Sequence, residues 1–263
     1  MVWSPRPGAD QPELFGEEFL KKLEYLHIVA RKVFSGGIRA ERRTRKVGAG
    51  VEFADHRPYA PGDDLRTLDW KLYGRLERLL VRLFEEEEDL HVYLLLDLSE
   101  SMTLGTPPKL DYGRRVAAAL AYIALANLDR AAVVGFADGV RGRLPPTRGK
   151  GQIHHVFRFL GGVKPGGPTN LAAAARTFVH ENRRRGVVVV VSDLYDPEGA
   201  QEGLNFLRYN KFEPFVVHVL DPAERRPDVR GDLRFVDCET GDSQDITVTD
   251  GLMRRYERAY EEF

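Results

Sequence analysis

The sequence predicts an α/β protein: a doubly wound, mostly parallel sheet with one antiparallel edge strand, plus a smaller N-terminal region of helix and strand. Three observations carry this expectation. After residue 90, apolar runs alternate with amphipathic stretches in the order HVYLLLD, Leu110 to Leu128, AAVVGFA, Gly151 to Leu160, Leu171 to Arg184, VVVVVSD, Leu204 to Tyr209 and PFVVHVLD, which is the pattern of βαβ units. The run Val187 to Val191 is apolar at every position, and a strand tolerates this where helices cover both faces of its sheet. One break in the alternation, AAVVGFA followed by Asp138-Gly139 and VRGRLPP, reads as strand, hairpin turn and a short second strand stopped by proline, hence the antiparallel edge.

The 263 residues have room for a moderate domain and a smaller companion, and 43% hydrophobic with 30% charged residues is the balance of a folded chain. The lead-in MVWSPRPGADQP is rich in proline and small residues. From Glu13 to Phe34 the positions Leu14, Phe15, Phe19, Leu20, Leu23, Leu26, Val29, Val33 and Phe34 form one apolar stripe of a long helix, which Gly36 and Gly37 end. The basic run Arg39 to Lys46 is expected to be a solvated or partner-facing loop. In the polar segment Gly48 to Trp70, proline and glycine argue against long regular elements.

A strand over residues 79–86 then runs into glutamates, and a domain boundary is set after Glu88, giving an N-terminal region 1–88 and an α/β domain 89–263. At the C-terminal end LRFVDCET, Gly241-Asp242 and DITVT predict a second hairpin, with Asp250 as the N-cap of a last helix through Tyr256 and Tyr260. That hairpin and helix are expected to complete the α/β domain.

In open α/β sheets ligands sit beyond the C-terminal ends of the strands. Three groups of residues fall there: Asp97, Ser99 and Ser101 after HVYLLL, Thr169 in GGPTNL, and Asp193 at the end of VVVVVSD. Carboxylates and hydroxyls suit a hard cation such as Mg²⁺, which takes oxygen ligands and keeps some waters. If Ser99, Ser101 and Thr169 bind directly while Asp97 and Asp193 act through water, the ion keeps charge for an outside carboxylate. Each residue alone has a plainer reading, with the serines and Thr169 as helix caps and Asp193 capping a helix from Pro197 onward. Their order, each at a strand end or βα loop, favours the metal site.

Those segments, HVYLLLDLSESM, GFADGVRGRLPP, GGPTNL and VVVVVSDLYD, resemble in order the segments of the von Willebrand factor A-like fold, itself Rossmann-like, and its metal-ion-dependent adhesion site. The resemblance spans roughly Leu90 to Asp221. It implies that Asp97, Ser99, Ser101, Thr169 and Asp193 are the Mg²⁺ set, with Mn²⁺ as an alternative, and that a partner's acidic side chain completes the coordination. Glu100, Met102, Asn170 and Tyr195 are expected beside that partner. The preceding segment, GAGVEFADHRPYAPGDDLRTLDWKLYGRLERLLVRLFEEEE, is similar to the hallmark of the bacterial family called domain of unknown function 58. That family's link to MoxR-type AAA+ ATPases implies an ATPase partner and a role in assembling or maturing other proteins. Many relatives carry N-terminal membrane helices, which this sequence does not show.

Other functions have weaker signals. The net charge of −1 gives no general pull toward nucleic acid or anionic lipid, and Arg39 to Lys46 lacks the interleaved aromatics that stack on bases. A single cysteine, Cys238, forms no internal disulfide; with no apolar signal core and no run long enough to span a bilayer, a cytoplasmic protein is expected. Cys238, placed in a strand with no histidine nearby, reads as inert. His154 and His155 are neighbours that point apart on a helix. Glu52, Asp55, Arg57, Tyr59, Asp63, Asp64, Arg66, Asp69 and Trp70 form either a docking surface or, as favoured here, a satisfied polar network.

A non-catalytic Mg²⁺-dependent interaction module is therefore expected, without catalytic residues, because neither Ser99 nor Ser101 has an adjacent histidine to activate it. The alternative is a Mg²⁺-dependent phosphoryl-transfer enzyme with Asp97 as nucleophile, whose pattern calls for a second aspartate where this chain has Ser99. There is no GxxxxGK[ST] loop, so ATP is not expected to bind through a P-loop of this chain's own.

Overall fold

The computed structural model describes residues 14–34, 43–47, 52–87, 90–196 and 199–262. The expected lead-in, the helix stop at Gly36 and Gly37 and the boundary residue Glu88 lie outside them. The chain forms two compact units, one of Ile28–Asp89 and one of Leu90–Phe263 joined by the start of the chain up to His27.

In the smaller unit β1 (Arg43–Val47), β2 (Glu52–Pro58) and β3 (Leu80–Glu87) make an antiparallel sheet in the order β1-β3-β2. This corrects the reading of the basic run as a loop, since its second half is a strand. The register sets Arg43 opposite Glu87 and Arg45 opposite Glu85, so basic positions lie across from acidic ones, the arrangement that favours cross-strand pairing. It also places a seven-residue strand inside the polar segment, where proline ends the element at Pro58 instead of preventing it.

The remainder of that segment is fixed by its own side chains. Arg57 holds Asp63 through two bonds of 2.8 and 2.6 Å, and Asp63 accepts from the Ala60 N–H at 2.9 Å. Asp69 accepts from the N–H groups of Lys71 and Leu72, both at 3.1 Å, capping α2 (Trp70–Leu76), and lies 3.1 Å from His56 Nε2.

The larger unit is built on five strands in the order β6-β5-β4-β7-β8. These are β4 (His91–Asp97), β5 (Arg130–Phe136), β6 (Val140–Arg148), β7 (Val187–Ser192) and β8 (Glu213–His218). β4 pairs in parallel with β5 and β7, β7 pairs in parallel with β8, and β6 is the antiparallel edge. Helices α3 (Lys109–Ala126), α4 (Ile153–Gly162), α5 (Leu171–Glu181) and α6 (Ala200–Tyr209) connect and cover the strands.

Strand periodicity sorts the apolar residues into two cores. Leu94, Leu96, Val133, Val189 and Val191 pack with Ala117, Ala121, Leu125, Val156 and Leu160 of α3 and α4. Tyr93, Leu95, Ala132, Val134, Val188 and Val190 face the other way, onto Leu171, Ala174, Phe178 and Leu207 of α5 and α6. Every residue of Val188–Val191 is buried, which is why the run needs no polar position.

The first helix, α1 (Glu17–Phe34), starts later than Glu13, and its opening turns do not belong with the N-terminal region as expected. Phe15, Phe19 and Leu23 pack on the first core, Phe15 stacking on Phe157 at 4.6 Å between centroids. The C-terminal hairpin, β9 (Gly231–Val236) and β10 (Ser243–Val248), is a two-stranded sheet separate from the five-stranded one. A four-residue helix, α7 (Pro222–Arg225), precedes it and α8 (Asp250–Glu262) follows. Asp250 opens α8 and does not cap it; the Thr249 hydroxyl takes that place, accepting from the Leu252 N–H at 3.3 Å.

This connectivity positions the site. From β4 the chain moves through α3 to β5 and β6 on one side, and from β7 through α6 to β8 on the other. The loops after β4 and β7 therefore diverge between adjacent strands, opening a crevice at the switch point.

The helix pair α5 and α6 packs without room to spare, since a Cβ on Gly203 would stand 2.8 Å from Leu171 Cγ and 3.0 Å from its backbone. Gly203→Ala is expected to destabilise the fold by about 1–3 kcal/mol, read as a lower urea midpoint; unchanged stability would show that α6 shifts freely.

Candidate metal centre

The loop after β4 is organised by the carboxylate that ends the strand. Asp97 Oδ1 accepts the Ser99 N–H at 2.9 Å, turning the chain back, and Asp97 Oδ2 accepts from the Ser192 hydroxyl of β7 at 2.6 Å. Ser99 Oγ and Ser101 Oγ stand 3.0 Å apart. Asp97, Ser99, Ser101, Ser192 and Asp193 are all buried. Burial pushes the Asp97 carboxyl up to about 6 against the lowering effect of the Ser192 and Ser99 hydrogen bonds, with the charge of Asp193 pushing further the same way. No basic side chain pairs with Asp97 among the described residues.

Asp193 is balanced differently. The ammonium of Lys109, at the start of α3 and only 2% exposed, lies 2.7 Å from Asp193 Oδ2 and also contacts Glu224 Oε1. Asp193 Oδ1 accepts the Tyr195 N–H at 3.2 Å, and the Tyr195 ring lies under the ammonium, 5.0 Å from its centroid. Burial lowers the Lys109 pKa, but its two carboxylate partners prevail and hold it above the usual lysine value.

Thr169 comes from the loop between α4 and α5. Two backbone bonds, Glu100 N–H to the Gly167 carbonyl (3.0 Å) and Gly166 N–H to the Leu98 carbonyl (2.8 Å), tie that loop to the one after β4. Gly166 and Gly167 have φ of +143° and +87°, which side chains other than glycine rarely adopt. Thr169 is itself buried, and both its N–H (2.9 Å) and its hydroxyl (3.0 Å) donate to the carboxylate of Glu239 in the turn between β9 and β10.

The plainer readings are not what the structure shows. Asn170, not Thr169, caps α5, accepting from the Ala173 N–H at 2.7 Å. α6 begins at Ala200 after Gly199, so Asp193 does not cap it, and α3 starts at Lys109 after Pro108, without a serine. Met102 is fully buried in the first core, which corrects its assignment as a partner contact: the 3-10 turn Ser101–Thr103 turns its side chain inward. Glu100 and Tyr195 are half-buried at the rim. Cys238 lies in the exposed hairpin turn and not in a strand.

The donor set fits a hard divalent ion. Among the described residues no three carboxylate, imidazole or thiol groups converge as a metal cluster, so the site depends on hydroxyls. Octahedral Mg²⁺ with bonds of about 2.0–2.1 Å places neighbouring oxygens about 3 Å apart, the separation of Ser99 Oγ and Ser101 Oγ. Ser192, Lys109, Glu224 and Glu239 were not picked out from the sequence. Ser192 stands inside the quoted VVVVVSD, whereas the other three come from distant elements that carry no local signal.

Residues 55–262 match the family model described as protein of unknown function DUF58. The chain belongs to the DUF58 family. Among curated proteins this DUF58 chain is similar to an uncharacterized protein of Mycobacterium tuberculosis, 27% identical over 97% of this chain and 80% of the relative. An uncharacterized protein of Mycobacterium avium is 29% identical over 44% of this chain and 70% of its own. Among solved structures it is similar to the conserved hypothetical protein BatB from Bacteroides thetaiotaomicron, with 18% identity, TM-score 0.43, and coverage of 65% of this chain and 87% of that one. An aerotolerance-related membrane protein from Bacteroides fragilis gives 19% identity, TM-score 0.40, and coverage of 64% and 87%. No helix among the described residues is long and apolar enough to cross a membrane.

Two expectations follow from the charges. Because the folded Asp97 carboxyl is raised to about 6 from the ordinary 3.8, its ionisation opposes folding; the penalty is absent well below pH 4, grows between the two values and is complete somewhat above pH 6. In chelator, Asp97→Asn is therefore expected to melt several degrees above wild type at pH 7.5, the gap closing toward pH 4; a gap independent of pH would refute the cause given. Removing the ammonium leaves two carboxylates uncompensated, so Lys109→Met is expected to cost about 3–5 kcal/mol in urea unfolding. Adding Asp193→Asn and Glu224→Gln should recover part of that loss.

Proposed function

We propose that this chain is a non-catalytic, Mg²⁺-dependent protein-interaction module. Its larger unit is read as von Willebrand factor A-like, with Asp97, Ser99, Ser101, Thr169 and Asp193 as a metal-ion-dependent adhesion site. A buried carboxylate without a counter-charge is costly unless something positive reaches it. The observation that carries the reading is Asp97, fully buried, raised to about 6 and paired only with neutral donors. A divalent ion, Mg²⁺ or Mn²⁺, would supply that charge and present the remainder to an acidic side chain of a partner.

Ser99, Ser101 and Thr169 would hold the ion through their hydroxyls, while Asp97 and Asp193 orient them and balance the charge. Several features favour binding over attack. Both Asp97 oxygens are already engaged by Ser99 and Ser192, and His218, at the end of β8, sets its Nε2 at 3.0 Å from the Asp193 carbonyl oxygen. On the family resemblance, the partner is a MoxR-type AAA+ ATPase, which would bring a P-loop nucleotide site, and the chain acts in the cytoplasm as an assembly or chaperone-type adaptor.

A ligand that binds only the native state raises stability by mass action. Saturating Mg²⁺ is expected to raise the melting temperature of the wild type and not that of Asp97→Ala. An unmoved wild-type curve rejects the metal site, and Mg²⁺-dependent phosphatase turnover abolished by Asp97→Asn rejects the non-catalytic reading.

A further inference from the structure

We infer that Glu239 supplies a carboxylate ligand to the cation from within the chain, in the position that a partner's acidic side chain would take. The inference deepens the proposed function and rests on it. Both Glu239 oxygens lie on Thr169, at 2.9 Å from its N–H nitrogen and 3.0 Å from its hydroxyl oxygen. The second separation again equals the edge of a Mg²⁺ octahedron, about 3 Å, so Thr169 and Glu239 can share a cation with little movement.

The turn holds Glu239 there, because Asp237 accepts the N–H groups of Glu239 and Thr240, both at 2.8 Å. No ion pair holds Glu239 among the described residues. The rim already carries Asp97, Asp193 and Glu224, of which the Lys109 ammonium pairs with the last two. Thr169 uses both oxygens of Glu239, where an amide offers one acceptor, and the carboxylate also brings negative charge that a dication would meet.

The hairpin that carries Glu239 is a separate two-stranded sheet, a kind of element that is marginal alone. It can leave the site without breaking a bond of the five-stranded ladder. An acidic partner would then reach the ion by displacing Glu239, so the hairpin sets the threshold for binding.

The test is calorimetric titration of Mg²⁺ into the full chain and its variants. Glu239→Gln, which keeps an acceptor for Thr169, and Glu239→Ala are expected to weaken Mg²⁺ binding by at least about tenfold. Asp245→Asn is expected to leave it unchanged, since that carboxylate pairs with Arg234 at 2.9 Å on the exposed hairpin. Added acetate should restore binding to Glu239→Ala and do nothing for wild type. Unchanged affinity in Glu239→Gln and Glu239→Ala overturns this inference alone, as does a weakening that acetate fails to reverse. A wild type that binds no Mg²⁺ overturns both the inference and the proposed function.

Discussion

A carboxylate removed from water must find compensation, and around Asp97 that requirement organises the upper edge of the sheet. One oxygen bends the loop after β4 through Ser99, and the other ties that loop to β7 through Ser192. These two bonds join the strands at the point where the chain departs in opposite directions. Burial raises the carboxylate's proton affinity, and the hydrogen bonds from neutral donors offset that only in part. The candidate centre is thus a consequence of topology and of electrostatics together: the sheet order creates the crevice, and the buried acid places there a charge that no basic side chain pairs with among the described residues.

The sheet was readable because its signal is local. Alternation of strand and helix patterns, a wholly apolar run at Val187 to Val191, and the Asp138-Gly139 turn each report on a few consecutive residues, and each corresponds to a strand of the five-stranded sheet. Asp97, Ser99, Ser101, Thr169 and Asp193 were legible for the same reason, being polar positions at strand ends or loops. Glu239, Glu224 and Lys109 were not, since the first two meet the site only through a hairpin turn and a four-residue helix. β1 escaped notice because a run of arginines does not look like a strand until glutamates are set across from it.

The DUF58 match, over residues 55–262, takes in parts of both units. The two units meet their needs differently. The smaller secures an irregular path with Arg57, Asp63 and Asp69, each satisfied by near neighbours, while the larger relies on two apolar cores and spends its few buried polar groups at one rim.

The ammonium of Lys109 makes the two buried aspartates unequal. Any dication arriving beside Asp193 meets a positive charge already lodged there, within 2.7 Å of the same carboxylate, so the two repel across a short distance. The fixed ammonium already answers part of the Asp193 charge, so this carboxylate has less to offer a second cation than Asp97 has.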